Sequence, residues 1–276
     1  MAELTGRRGI VFGVANDRSY AWHIAKALHE GGAEIAFAHY PGPKNARRVQ
    51  TAVSKFGLED PWCLPCDVGS DDDLDALFEQ VGQRWEALDY VVHSVAMADK
   101  EYLQVGRFHE TPRAAWNLAM DISAYSLVAI AHRAALRMPA GGAVLSLSYL
   151  GGERVVPGYN VMGIAKAALE HSTRYLAMEL GRVGVRVNCI SGAPLRTLSA
   201  VAVGNIEAML DHQQHYSPLA RNIDGAEVGS AAAFLLSDAA SAITGEVMHV
   251  DAGFHVLACV PCEANVEGIP PQGRPE

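Results

Sequence analysis

Tyr159 and Lys166 lie seven residues apart in a stretch whose apolar pattern predicts a helix over about 158–182. Seven residues turn an α-helix by about 700°, which returns Lys166 nearly to the azimuth of Tyr159, roughly 10 Å farther along the axis. Both side chains are therefore expected to face one groove. In such a groove a lysine can bind ribose hydroxyls and lower the phenol pKa by its charge. The phenol can then hydrogen-bond a substrate oxygen as negative charge develops on it. Tyr149, ten residues earlier at the end of a β-like run, can enter the same cavity. A Tyr/Lys pair on a helix face is by itself more often a surface coincidence, so its meaning depends on what surrounds it.

Further candidates fall at the ends of other β-like runs. Gly13 closes the first run, and the chain passes through Ser19 and Tyr20 into the helical stretch AWHIAKALHEGG. Backbone N–H groups at such a helix start suit a diphosphate. The glycines are fewer than in G-x-G-x-x-G, and a plain strand-to-helix turn with Ser19 as N-cap is the alternative. Asp67 and Val68 close the third run, and Ser94, Val95 and Ala96 the fourth, at the carboxyl edges where open α/β sheets bind ligands. Asp67 can accept from an adenine amino group or cap the next helix, and both readings stand.

These residues need a scaffold. Apolar runs at 9–14, 33–39, 62–68, 88–95, 143–149, 185–191 and 246–253 alternate with helical stretches at 20–31, 44–56, 71–85, 114–137, 158–182 and 226–237. The pattern predicts a single doubly wound parallel sheet of about seven strands, a Rossmann-type α/β fold, with a small helical lid near 195–215. The catalytic domain is expected over residues 1–257, with a loosely ordered tail over 258–276, rich in Pro, Gly and Glu.

Composition narrows the function. Half of the 276 residues are apolar and 19% are charged, enough for a substantial core. The net charge of -9 argues against a nucleic-acid partner, and the apolar run after Arg7 and Arg8 is too short for a signal or a membrane span. A cytosolic location and no membrane partner are expected. Lys44, Arg47 and Arg48 form the densest basic cluster, either a solvated helix face or a site for a cofactor phosphate. Cys63 and Cys66, with Cys259 and Cys262, make two C-x-x-C pairs that superficially suggest zinc. One pair falls in a buried strand and the other in the tail, so no metal is expected. His212 and His215 share a helical face without a third ligand and read as solvated or packed.

The segments GVANDRSYAWHIAKAL, CDV, HSVA, DISAYS, LSYLGGERVVPGYNVMGIAKAALE, GVRVNCIS, PLRTL and GEVMHVDAGF occur in that order. Together they resemble the divergent short-chain dehydrogenase/reductase family of type I bacterial and plastid enoyl-acyl-carrier-protein reductases, over residues 4 to 257. The most diagnostic element is six residues between Tyr159 and Lys166, where ordinary members of the superfamily have three and where Gly163 now occupies the nearer position. The resemblance implies NAD(P)H-dependent reduction of the trans-2 double bond of an enoyl thioester, as in fatty-acid biosynthesis, by a homotetramer. Tyr159 would hold the enolate, Lys166 the nicotinamide ribose, and Tyr149 would line the substrate side. Gly13, Ser19 and Tyr20 would meet the diphosphate, Asp67 and Val68 the adenine, and Ser94, Val95 and Ala96 the riboses. Thr197 would meet the diphosphate and the Leu195 backbone the carboxamide, with Tyr40 also among the cofactor contacts. Ser123 is either a supporting residue of the site or an ordinary helix hydroxyl.

The chain departs from this pattern in places. Ala38-His39-Tyr40-Pro41-Gly42 places no acid where an NAD-selective site would bind the ribose 2′-hydroxyl, so NADH is the expected cofactor with NADPH left open by the basic cluster. Ser191-Gly192-Ala193-Pro194 exchanges the usual Ala-Gly order, and Asp251-Ala252-Gly253 replaces Asp-Gly-Gly; both look tolerable. The lid segment 203–210 carries one negative and no positive charge, which puts an acidic carrier protein in doubt and makes coenzyme A the alternative carrier. A carbonyl-reducing relative would need its lysine four residues after Tyr159, and a non-catalytic nucleotide-binding regulator would have no use for the phenol. Ala96 and Met97 stand where the resemblance has Ser-Ile-Gly and an aromatic. The added methyl beside the nicotinamide ribose should weaken binding of diphenyl-ether inhibitors, and an inhibition assay giving full family-like sensitivity would refute this.

Overall fold

A computed structural model describes residues 3–197 and 206–258. Seven strands form one sheet: β1 (Arg8–Phe12), β2 (Glu34–His39), β3 (Trp62–Pro65), β4 (Tyr90–His93), β5 (Gly142–Ser148), β6 (Val185–Gly192) and β7 (Val247–Val250). All neighbouring pairs are parallel, in the order β3-β2-β1-β4-β5-β6-β7. The order reverses between β1 and β4, which opens a crevice at their carboxyl ends.

Period-2 alternation sends successive strand residues to opposite layers. Val11, Phe37, Val92 and Leu145 pack with α1 (Tyr20–Glu30), α2 (Pro43–Ser54) and the late helix Gly225–Leu236. Ile10, Phe12, Val91 and Val144 pack on the other face with α3 (Asp71–Arg84) and the helices that follow β4 and β5. Burial on both faces explains why the strands read as continuous apolar runs. Cys63 and Cys66 belong to opposite layers, so their thiols point apart.

The structure revises several boundaries. β3 ends at Pro65, not at 68, because the chain turns at Asp67, whose carboxylate accepts the Gly69 N–H at 3.0 Å. The single helix expected over 114–137 is α4 (Arg113–Met120), a π-turn (Asp121–Tyr125) and α5 (Ser126–Ala135). The Ser126 hydroxyl donates back to the Ile122 carbonyl at 2.7 Å, a bond that competes with helical pairing. By length and composition Arg113–Ala135 could cross a membrane, yet half of its most apolar window is buried here, with Leu127 and Ile130 in the core. The helix carrying Lys166, α6 (Asn160–Leu180), begins two residues later than expected. Ser19 precedes α1, but its hydroxyl donates to the Asn16 carbonyl at 2.7 Å and caps nothing. Two further α-helices follow β6 among the described residues, α7 (Ile206–Tyr216) and α8 (Gly225–Leu236). Part of the expected lid, 198–205, and most of the expected tail, 259–276 with Cys259 and Cys262, lie outside the described residues.

Past β7, Asp251 accepts from the Gly253 and His255 N–H groups at 3.0 and 2.8 Å, closing a tight turn. Ala252 sits in that turn at φ 56°, buried, so the exchange that looked tolerable in sequence carries left-handed strain. An alanine there loses about 1–2 kcal/mol, partly offset by the smaller chain entropy it has to give up. Ala252→Gly should therefore stabilise the fold by about 0.5–1 kcal/mol in urea titration; an unchanged or lower midpoint would refute the strain.

Candidate active site

The crevice at the sheet's switch point is built on a close approach. Gly13 follows β1 at φ 96°, and a Cβ there would collide with the Ser94 carbonyl oxygen beyond β4. Only glycine meets both conditions. Beside this turn opens a cavity of about 620 Å³ whose lining includes Gly13, Tyr40, Asp67, Val68, Val95 and Ala96. Six expected cofactor residues thus share one wall, with Ser94 against Gly13. Leu118 and Ile122 also line it, and sequence reading missed both; the π-turn that delivers Ile122 leaves no mark in DISAYS. Ser19, Tyr20, Ser94, Lys166, Leu195 and Thr197 do not line this cavity, nor do Tyr149 and Tyr159.

Asp67 is not the cap of α3. That role belongs to Ser70, which accepts the Asp73 N–H at 3.2 Å, so Asp67 keeps an oxygen for the cavity. Ser123 is buried and holds the cavity wall: its hydroxyl accepts the Met97 N–H at 3.0 Å and bonds the Met97 carbonyl at 3.1 Å. A second recess of about 610 Å³ adjoins through Ala15 and Arg48 and carries Lys44, Arg47 and Lys55 as well. Lys55 pairs with Asp17 at 2.5 Å, whereas Lys44, Arg47 and Arg48 have no ion pair among the described residues.

The reacting groups come from the segment joining β5 to α6. Tyr149 leaves β5 extended, and its ring meets that of Tyr159 edge to face, centroids 5.0 Å apart. Tyr159 precedes α6, Gly158 has φ 85°, and Asn160 has φ 45°. The phenol is therefore aimed by a turn, and the helical-advance argument covers only the lysine. Asn160 pins this turn by donating to the Tyr102 and Gln104 carbonyls, both at 2.7 Å.

Lys166 is buried and donates to the Leu147 carbonyl at 2.6 Å. Burial pulls its pKa down to about 8. Burial also drives the Tyr159 phenol well above its usual value, helped by Tyr149, Tyr20 and Glu170. Lys166 is not among the groups acting on that phenol, so the expectation that its charge lowers the pKa is overturned: desolvation dominates, and Lys166 is tied to β5. Tyr149 is pushed up to about 12 by burial as well. Both phenols are hydrogen-bond donors at any working pH. Glu170, also buried, accepts from Ser148 and is shifted toward its protonated form by burial. His93 bonds Ser126 at 2.7 Å, and burial, then Lys166, lower it to about 3, which keeps it neutral.

Two features bear on the rival readings. A Cβ at Gly163 would lie 2.7 Å from the Gly151 carbonyl, so no lysine fits four residues after Tyr159. The negative charge expected on the lid is not bare, because Glu207 of α7 pairs with Arg196 at 2.6 Å. The His212 ring packs against Tyr216 and Phe254.

Residues 13–255 match the family model described as Enoyl-(Acyl carrier protein) reductase. An enoyl-[acyl-carrier-protein] reductase [NADH] of Nostoc sp. is 44% identical over 257 residues, covering 93% of this chain and 99% of that protein. An enoyl-[acyl-carrier-protein] reductase [NADPH] of Staphylococcus aureus is 43% identical over 257 residues, 93% of this chain and all of that one. The crystal structure of the Bacillus cereus enoyl-acyl carrier protein reductase with NADP+ and indole naphthyridinone superposes with a TM-score of 0.90 at 45% identity, covering 94% of this chain and 100% of that one. With its sheet order, its crevice and its Tyr159–Lys166 spacing all in place, the chain belongs to the enoyl-(acyl carrier protein) reductase family.

Proposed function

We propose that this chain uses NAD(P)H to reduce the trans-2 double bond of an enoyl thioester, the step that saturates a growing chain in fatty-acid synthesis. The observation that carries this reading is the pair of half-buried phenols, Tyr149 and Tyr159, ring to ring on the segment that leads to a buried ammonium. The residues fit a dinucleotide. The Gly13 turn has no room for a side chain, the adjoining cavity is lined by Asp67, and the Lys166 ammonium has further donors beyond the Leu147 bond.

The cofactor, when bound, supplies a hydride to the β-carbon. Tyr159 would hydrogen-bond the thioester oxygen as that oxygen gains negative charge, its raised pKa keeping the proton on the phenol, and the α-carbon of the resulting enolate would then take up a proton from water, so that one hydride and one proton are added. Tyr149 walls the substrate side, and Lys166 holds ribose hydroxyls. Gly13 and Ser19 serve the diphosphate turn, Asp67, Val68 and Tyr40 the adenosine end, and Ser94 to Ala96 the riboses. Leu195 and Thr197 approach from the loop after β6. The catalytic domain spans residues 1–257, with 195–215 as its lid.

NADH is one cofactor reading. The recess beside the adenine end, where Lys44, Arg47 and Arg48 have no ion pair among the described residues, favours a 2′-phosphate, and so NADPH, as the second. Acyl carrier protein is the carrier named for the relatives; the Arg196–Glu207 pair removes one objection to it here. Exposed Ile164, Tyr175 and Met178 on α6 support a homotetramer in which a second copy covers this helix. The unpaired thiols of Cys63, Cys66 and Cys189 suit the cytoplasm.

Turnover of crotonyl and longer enoyl groups on acyl carrier protein and on coenzyme A, each with NADH and with NADPH, tests the reading. Tyr159→Phe should lower kcat by about 100- to 1,000-fold while cofactor affinity holds; a variant as active as the parent would sink the assigned role. Because Lys166 loses its proton as pH rises through about 8, cofactor affinity should weaken above that point, by at most about tenfold per unit for one proton. Lys166→Met should flatten this profile, and a pH slope that survives the substitution would show that another group titrates.

A further inference from the structure

Asn160 stands next to Tyr159 in the chain and holds φ at 45°, a left-handed value that asparagine tolerates and most side chains avoid. Its amide nitrogen gives one hydrogen to the Tyr102 carbonyl and the other to the Gln104 carbonyl, both at 2.7 Å. An amide nitrogen has two hydrogens, so the donor is fully used. The two carbonyls flank Leu103, which is itself buried in a small apolar cluster with Val161, Met162 and Ala165, and Tyr159 packs against that cluster. The first residue of α6 thus straddles the one residue of a distant segment that shares a cluster with the phenol.

A clamp can orient a group only if its other jaw is fixed. The segment between β4 and α4 is braced within itself. Asp99 caps the short turn Lys100–Tyr102 by accepting the Glu101 N–H at 3.0 Å, and Arg107 pairs with Glu101 at 3.1 Å while lying over the Tyr102 ring. Backbone bonds from the Leu103, Arg107 and Glu110 N–H groups close successive turns along the same segment. It also reaches the residue before the phenol, because a Cβ at Gly158 would lie 3.6 Å from Val105 and 3.7 Å from the Leu103 carbonyl oxygen. Tyr159 is therefore bracketed on both sides in the chain by residues seated on Tyr102–Val105. Relaxation of Asn160 to negative φ would re-aim everything that precedes it relative to α6, and Tyr159 is the first group to move.

We propose that Asn160 is a positioning residue for the phenol, clamping the Tyr102–Gln104 segment to the start of α6 so that Tyr159 keeps one aim relative to Lys166. This rests on the proposed reductase reading and deepens it: Asn160 acts on the rate only through Tyr159. A misplacement of about 1 Å can reduce rate by about 100-fold, so a loosened turn is felt in turnover even where the fold survives.

The test uses Asn160→Gly, which keeps the left-handed backbone and removes the clamp, Asn160→Asp, which keeps the shape and replaces the donor by an acceptor, and Asn160→Gly combined with Tyr159→Phe. The measurements are kcat and KM on an enoyl thioester, cofactor Kd by fluorescence titration, melting temperature, and the Tyr159 resonance in NMR of ring-labelled tyrosine, assigned by its loss in Tyr159→Phe. Asn160→Gly should lower kcat by about tenfold or more, leave cofactor Kd within about twofold of the parent, and shift or broaden the Tyr159 resonance. In the Tyr159→Phe background the same change should lower kcat by less than about twofold, because the group being aimed is gone. Asn160→Asp sets a carboxylate against two carbonyl oxygens and should be at least as slow at neutral pH. Its kcat relative to the parent should recover as pH falls, when the protonated carboxyl regains a hydrogen to donate. A merely structural asparagine would lower the melting temperature and leave kcat per folded molecule, the Tyr159 resonance and the pH ratio unchanged; that result, or losses that multiply in the double variant, would overturn the proposal. Should one of the two Asn160 substitutions fail to fold, the other still decides. A parent enzyme inactive on every enoyl thioester would refute the reductase reading instead, while the Tyr159 resonance across the Asn160 series would still judge the clamp.

Discussion

Lys166 holds an ammonium where water does not reach, at a penalty of several kcal/mol if left uncompensated. Its fixed acceptor among the described residues is the Leu147 carbonyl, and its neighbours are tuned around it. The same burial keeps His93 neutral and pushes the Cys189 thiol up to about 12. Glu170, the nearby carboxyl, is engaged by Ser148 and drawn toward protonation. Among the described residues this buried cation therefore has no dedicated anion, which is a poor arrangement for stability and a good one for receiving a polar ligand.

Glycines make the approach possible. A Cβ at Gly151 would run into the Tyr159 ring, and one at Gly152 would sit 2.5 Å from a Glu170 oxygen. The turn after β5 can thus lie flat on α6, so that a strand end, a turn and a helix present Tyr149, Tyr159 and Lys166 within one short stretch of chain. Asn160 holds the other side of this turn through two backbone carbonyls.

Much of this was legible in sequence, for physical reasons. Strands buried on both faces must be apolar throughout, so all seven could be located, and the helices fell within a few residues of their observed ends. What escaped depended on contacts distant in sequence or on solvation. The π-turn is stabilised by serines bonding to backbone, one of them 26 residues away at Met97, and a string such as DISAYS reads as ordinary helix. The positive φ of Asn160 was invisible, so the helix was expected to start at 158, two residues before its observed start. The phenol pKa was misjudged because proximity to a cation is easy to infer from spacing, whereas desolvation emerges only from packing. The Arg196–Glu207 pair joins two segments across the stretch 198–205 and could not be read from either.

The contact between Gly163 and the Gly151 carbonyl has an evolutionary reading. A chain with this turn cannot acquire the shorter lysine spacing by one substitution, because the nearer position has no space for any side chain. Moving the charge back would require reshaping the turn in the same lineage, through intermediates with the cation in neither place. The two spacings are thus separated by more than one substitution, so a three-residue difference in the motif reflects a different turn and not an interchangeable placement of the charge.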